Sequence, residues 1–156
     1  MYERILVALD GSAVAEKALA HAIGPAENHG SMITLLTVAH DQASLAALAP
    51  SLAQAAISQD VIARTESARE QSADRQYLED VRARIAAKGL DVETRVREGK
   101  PAEQILRLAS ELHAGVIVLT AYGGGGAHTR SGSNVFGGVT DEVLRESHTP
   151  VLLIRP

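Results

Sequence analysis

The chain has 156 residues, of which 46% are apolar and 22% charged, and its formal net charge is -4. That size and apolar share suit one domain with a full core, and the acidic balance argues against a nucleic-acid surface, which is usually a basic patch. With no cysteine, disulfides, thiolate metal sites and thiol nucleophiles are excluded, and with 3% aromatic residues there is little to stack on single-stranded nucleic acid.

No charged-then-apolar leader opens the sequence, and no apolar run approaches the ~20 residues of a membrane span. The expectation is a soluble, cytoplasmic protein that touches neither membrane nor nucleic acid.

Ile5-Leu6-Val7-Ala8-Leu9 is a short continuous apolar run, the pattern of a strand buried on both faces in a parallel sheet. It ends at Asp10-Gly11-Ser12, a turn and helix-start signal. Val14, Ala18, Leu19, Ala22 and Ile23 then recur at helical spacing, and Gly24-Pro25 is expected to break that helix. Ile33 to Val38 reads as a second buried strand. From residue 39 to about 66 the pattern weakens. Leu45, Leu48 and Leu52 keep helical spacing, but Pro50 interrupts them. Residues 41–66 are therefore read as a variable insertion, partly helical or a surface loop, within a single domain spanning 1–156. A helix is expected from about Ser67 to Lys88, with Tyr77, Leu78, Val81 and Ile85 inward and Gly89 at its C′ position.

Val92, Thr94 and Val96 alternate with Glu93, Arg95 and Arg97, the mark of a half-exposed edge strand. Pro101 suits a helix start, and Ala102, Ile105, Leu106, Ala109 and Leu112 form the next inner face. Val116 to Leu119 is a fourth strand. Thr120-Ala121-Tyr122 follows, then four consecutive glycines, Gly123 to Gly126, and a polar stretch. Gly137-Gly138 leads into a helix over Val139 to Arg145, and Val151 to Ile154 is a fifth strand. Strand, glycine-rich loop and helix start in succession suit an anion such as phosphate, since the loop allows close approach and the helix start presents free N–H groups. A plain surface turn would also use these glycines.

Strands and helices alternate, so the expected fold is α/β: a three-layer sandwich around a five-stranded parallel sheet, Rossmann-like. The first and fourth strands, richest in apolar residues, should be central, which gives the order 3-2-1-4-5. Its switch point lies between those two strands, where ligands bind at the carboxyl ends of open α/β sheets. Asp10-Gly11-Ser12 would there face Thr120 to Gly126.

With these segments in place, the sequence resembles the universal stress protein family. The resemblance rests on Ile5 to Ser12, Ile33 to Val38, Arg97 to Ile105, Val116 to Gly123, Gly137 to Leu144 and Pro150 to Arg155. It implies a five-stranded α/β sheet, usually dimeric, in a protein that helps cells survive stress. One branch of that family binds ATP and shows Gly-x2-Gly-x9-Gly-Ser/Thr after the fourth strand. Here Thr120 replaces the first Gly, Gly123 matches the second, thirteen residues precede Gly137, and Gly138 replaces the hydroxyl residue.

The resemblance implies a nucleotide site lined by Ala8, Leu9, Asp10, Val38, Leu119 and Thr120, with Asp10 at the nucleoside end and Val38 near the base. Backbone N–H groups of Gly123, Gly137, Gly138, Val139 and Thr140 would meet the phosphates of ATP, accompanied by Mg. Thr140, Ser131, Ser133 and Arg130 are candidates to replace the lost hydroxyl or add charge. Asp10 could equally serve only as a helix cap.

The six histidines show no metal-ligand spacing. There is no Gly-x-Ser-x-Gly elbow and no Gly-Lys-Ser/Thr, so a dedicated hydrolase is not expected, at most a weak ATPase. Two readings follow: a sensor or regulator that binds adenine nucleotide, or a nucleotide-free scaffold that acts through protein partners. In both, the apolar fifth strand at a sheet edge is expected to pair two copies into a homodimer through Val151 to Ile154.

Overall fold

The computed structural model describes residues 2–39, 56–121 and 138–155. Within them the chain runs β1 (Arg4–Ala8), α1 (Lys17–His29), β2 (Met32–Ala39), α2 (Ala56–Ala86), β3 (Val92–Glu98), α3 (Pro101–Glu111), β4 (Val116–Thr120), α4 (Gly138–Glu146) and β5 (Val151–Ile154). The five strands form one sheet of order β3-β2-β1-β4-β5, and every pairing is parallel. The sheet is the expected Rossmann-like one, with β1 and β4 adjacent at its centre.

The central strands read as unbroken apolar runs because both faces of the sheet are covered. Ile5, Val7, Ile33, Leu35, Val116 and Val118 point to one side, against Ala18, Leu19 and Ala22 of α1 and Leu78, Val81 and Ile85 of α2. Leu6, Leu36, Ile117 and Leu119 point to the other, against Ile105 and Leu108 of α3 and Val143 of α4. Each large side chain so buried contributes about 1.5–3 kcal/mol. The core therefore consists of two slabs separated by the sheet. The helices that lead outward from β1 to β2 and β3 lie on one side and those that flank β4 lie on the other, and the winding changes direction at the crevice between β1 and β4.

Two helix boundaries differ from the sequence expectation. Gly24 and Pro25 do not break α1; Pro25 lies inside it. A mid-helix proline forfeits one hydrogen bond, here to the carbonyl of His21, and costs about 3 kcal/mol. His21 is solvent-exposed, so water can serve that carbonyl, while Ala22 and Ala26 carry the buried face past the proline. Asn28 Nδ2 also donates to the Gly24 carbonyl at 2.9 Å. The helix stops instead at Gly30, whose φ of 64° only glycine adopts without strain and whose N–H bonds Ala26 O.

The second difference concerns α2, which begins at Ala56, well before Ser67. The last part of the stretch read as an insertion is thus helical. Its composition supports this, since Ala, Gln, Arg and Glu are good helix formers even without an apolar stripe. Pro50 and the leucines before it lie outside the described residues.

The two sheet edges are unlike each other. At one edge, β3 carries Glu93, Arg95 and Arg97. Arg97 Nη1 donates to Glu111 Oε1 of α3 at 3.1 Å, and Arg95 pairs with Glu93 at 2.8 Å. At the other, β5 is wholly apolar, and Leu152 is 40% exposed.

Candidate functional site

The carboxyl ends of β1, β2 and β4 lie side by side. Leu9 extends the pairing of β1 by donating its N–H to Leu36 O at 2.8 Å, and the chain then leaves the sheet at Asp10. Asp10 Oδ1 accepts from Ser12 N at 3.0 Å and from Ser12 Oγ at 2.6 Å, and Ser12 Oγ accepts from Ala15 N at 3.0 Å. This is an Asx-turn and hydroxyl relay that braces the turns ahead of α1, whose N-cap Glu16 carries no side-chain cap bond. Gly11 between them has φ 78°, a left-handed value that favours glycine. Asp10 thus holds the turn after β1 and does not cap α1, and its exposed carboxylate stands at the lip of the crevice.

Ala8 and Val38 are half-buried on the α3–α4 side of the sheet. They form a small apolar floor beside the Asp10 turn, while Leu9 is buried in the α1–α2 slab and Leu119 in the α3–α4 slab. Thr120 ends β4, and its carbonyl accepts a hydrogen bond from Thr140 Oγ1 at 3.1 Å. Both threonines are buried.

That bond ties the first turn of α4 to the end of β4, across the crevice from Asp10. Gly138 opens α4 and is exposed, with nothing within 4 Å of where a Cβ would stand. Val139 is 39% exposed. The N–H groups of Gly138, Val139 and Thr140 belong to the first turn, which has no intrahelical acceptors. Asp141 in the same turn competes for the positive helix end, but Arg145 Nη2 engages it at 2.7 Å. The structure therefore brings Ala8, Leu9, Asp10, Val38, Leu119, Thr120, Gly138, Val139 and Thr140 to one end of the sheet. Gly123, Gly137, Arg130, Ser131, Ser133 and the other glycines of the loop lie outside the described residues. Thr140's hydroxyl hydrogen is directed at β4, which leaves its backbone N–H facing the helix end.

One residue near the site went unnoticed in the sequence. Tyr77 reads there only as part of an apolar helical face. In the fold it packs on the α1–α2 core slab, and its hydroxyl is buried. Burial first, then the adjoining Glu16 carboxylate, raises its pKa from 10.0 to about 12, and the Asp10 charge adds to the effect. Glu16 adjoins the hydroxyl and favours its protonated form, and Glu16 Oε2 is held by Arg84 Nη2 at 2.9 Å. The available signal was a single aromatic alcohol on an otherwise aliphatic stripe.

Among the described residues, no group of His, Asp and Glu is placed to hold a metal ion, and no helix is long and apolar enough to cross a membrane.

The chain is similar to known proteins along its whole length. The model of the universal stress protein family matches residues 1–155. Universal stress protein YxiE of Bacillus subtilis (strain 168) is 28% identical over 155 residues, covering 99% of this chain and all of that one. Among solved structures, the universal stress protein UspA from Lactobacillus plantarum aligns at a TM-score of 0.79 and 24% identity, over 99% of this chain and 98% of that one. A universal stress protein solved in complex with cAMP aligns at 0.69 and 22%, over 99% and 97%. The sheet order, the six sequence segments and the full-length family match agree: this chain belongs to the universal stress protein family.

Proposed function

We propose that this protein binds an adenine nucleotide, ATP with Mg, in the crevice between β1 and β4, and acts as a sensor or regulator in the stress response. The observation that carries the reading is the placement of two complementary groups at the switch point. The Asp10 carboxylate stands on one side. The open start of α4, with Gly138 leaving room for close approach, stands on the other. A nucleoside with hydrogen-bond donors suits the first, and phosphates suit the second. That a protein of similar fold forms a complex with cAMP supports the same ligand class. The chain binds rather than catalyses in this reading, because its sequence carries neither a Gly-x-Ser-x-Gly elbow nor a Gly-Lys-Ser/Thr. Cytoplasmic residence belongs to the proposal and is checked by cell fractionation.

The proposal includes a homodimer through β5. An apolar edge strand with exposed Leu152 leaves backbone groups open to pairing, and Leu144 of α4 is also 37% exposed. The charged β3 edge resists the same pairing, so association closes at two copies rather than growing into a fibre.

A second reading, a nucleotide-free scaffold, draws on particular departures. Thr120 and Gly138 depart from the nucleotide-binding pattern, and Val139 offers exposed apolar surface at the crevice. Mass spectrometry of denatured, freshly purified protein separates the two. Co-purified ATP or AMP supports the first reading. Protein free of nucleotide that also fails to take up added ATP supports the second.

A further inference from the structure

β3 lies at the edge of the sheet, and its ladder to β2 determines which of its backbone groups are left over. Ile33 N donates to Asp91 O at 2.9 Å, and Gly99 N donates to Ala39 O at 3.2 Å. In a parallel pair, alternate residues give both N–H and C=O to the same neighbour. The odd-numbered residues from 91 to 99 therefore face β2. The N–H and C=O groups of Thr94 and Val96 point outward, beyond the last strand. Arg95 Nη1 donates to the outward Thr94 carbonyl at 3.0 Å, so an exposed side chain guards the edge.

The side chains of Thr94 and Val96 lie on the α2 side of the sheet. There a groove of about 280 Å³ opens between α2 and β3. Leu78 and Val96 give it an apolar floor, and Arg75, Glu79 and Thr94 a polar rim. The open backbone and the groove thus belong to the same two residues. Glu79 is engaged by Arg82 at 2.7 Å and by Thr94 at 2.9 Å. Arg75 has no partner among the described residues. On the other face of β3, Arg95, Arg97 and Arg107 share the carboxylates of Glu93 and Glu111. The groove and the opposite face of the strand therefore each hold a cation in excess.

We propose that β3 is a docking edge for an extended segment of a partner protein, one that sets an aliphatic side chain among acidic ones. Added beside β3 as a further strand, the segment would bond the backbone of Thr94 and Val96. Its aliphatic side chain would enter the groove over Leu78 and Val96. Its carboxylates would meet Arg75 on that side and Arg95 and Arg97 on the other. The guard is cheap to displace, because the Arg95–Glu93 pair is exposed and such pairs are weak. The wholly apolar β5 offers these arginines nothing, so it does not compete for this edge.

The experiment adds a capped synthetic peptide, Thr-Glu-Glu-Val-Glu-Glu-Thr, to the isotope-labelled full chain and follows amide exchange by NMR. In the free protein the amides of Thr94 and Val96 are expected to exchange fast, and those of Glu93 and Arg95, which bond β2, slowly. The peptide should slow Thr94 and Val96 about tenfold or more and leave Glu93 and Arg95 as they were. Arg75→Glu alters an exposed side chain without a partner among the described residues, so the fold should hold. It should weaken peptide binding about three- to tenfold. Serine in place of the peptide's valine should weaken it as well, and lysine in place of its glutamates should abolish it. Unchanged exchange at Thr94 and Val96 under excess peptide overturns the proposal, as does equal binding of the glutamate and lysine peptides. Slow exchange at these two amides in the free protein that speeds up on dilution places a second copy on the edge and also overturns it. None of these outcomes involves the crevice, so the nucleotide reading stands or falls separately.

Discussion

Thr140 Oγ1 donates to the backbone carbonyl of Thr120 at 3.1 Å, and both residues are buried. This bond fixes the start of α4 over the end of β4, so the helix end that would meet a phosphate is held by the sheet. Thr140→Val keeps the shape and leaves the Thr120 carbonyl without this donor. A loss of about 1–3 kcal/mol is expected, read as a lower midpoint in urea at unchanged slope. Thr140→Ser, which retains the donor, should recover most of it. Equal stability of wild type and the valine variant would show that the bond does not anchor the helix.

The homodimer has a clean test in Leu152. Leu153 is half-buried against the α3–α4 slab, so charging it would disturb the fold as well as the edge. Leu152 is 40% exposed in the single chain. Leu152→Lys should therefore leave the monomer folded and shift the sedimentation equilibrium toward it. A wild type that sediments as a monomer at micromolar concentration would rule out pairing through β5.

Stability should respond to pH at both ends of the range. Glu111 is held below the ordinary carboxylate value of 4.5 first by its hydrogen bonds from Arg97, and Glu79 first by its bond from Arg82 and then by that from Thr94. With folded values below unfolded ones, their contribution is present above the unfolded value and lost as pH falls through the folded one. Glu111→Gln should show a shallower acid decline in denaturation midpoint than wild type. Tyr77 has the opposite sign. Its folded value is raised to about 12 from 10.0, so its contribution is full below pH 10.0 and lost as pH rises toward about 12. Tyr77→Phe should flatten that alkaline decline, measured by denaturant midpoints across it. Parallel curves for variant and wild type would contradict the assignment.

Sheet order was legible because strands buried on both faces leave a simple signature: β1 and β4 are short, unbroken apolar runs, and β3 alternates with charge. The site's outline was legible for the same reason, since Asp10 and Thr120 follow from where those strands end. Local signals were weaker guides. Pro25 is a valid breaker signal, but Ala22 and Ala26 buried on either side of it outweigh the lost bond, and that burial exists only in the folded sheet. The start of α2 at Ala56 escaped because its apolar residues Ile57, Val61 and Ile62 are cut off from the inner face at Tyr77 by the largely polar run from Arg64 to Gln76, so no single stripe runs the length of the helix. Tyr77 was hidden by a similar limit. Its ring belongs to the helical face, and only the fold brings its hydroxyl beside Glu16, just ahead of α1.

The most direct test of the account is a calorimetric titration of ATP, with Mg present, into the wild type and Gly138→Asp. Gly138 is exposed, at the start of α4, with open space where its Cβ would stand. An aspartate there fits the fold and suits the helix end, so the variant should remain folded. Its carboxylate would occupy the place proposed for the phosphates. The account predicts binding by wild type on the order of micromolar or weaker, and no measurable binding by the variant. Equal binding by the two would place the phosphates away from α4. No binding by wild type at millimolar ATP would contradict the central claim and leave the scaffold reading.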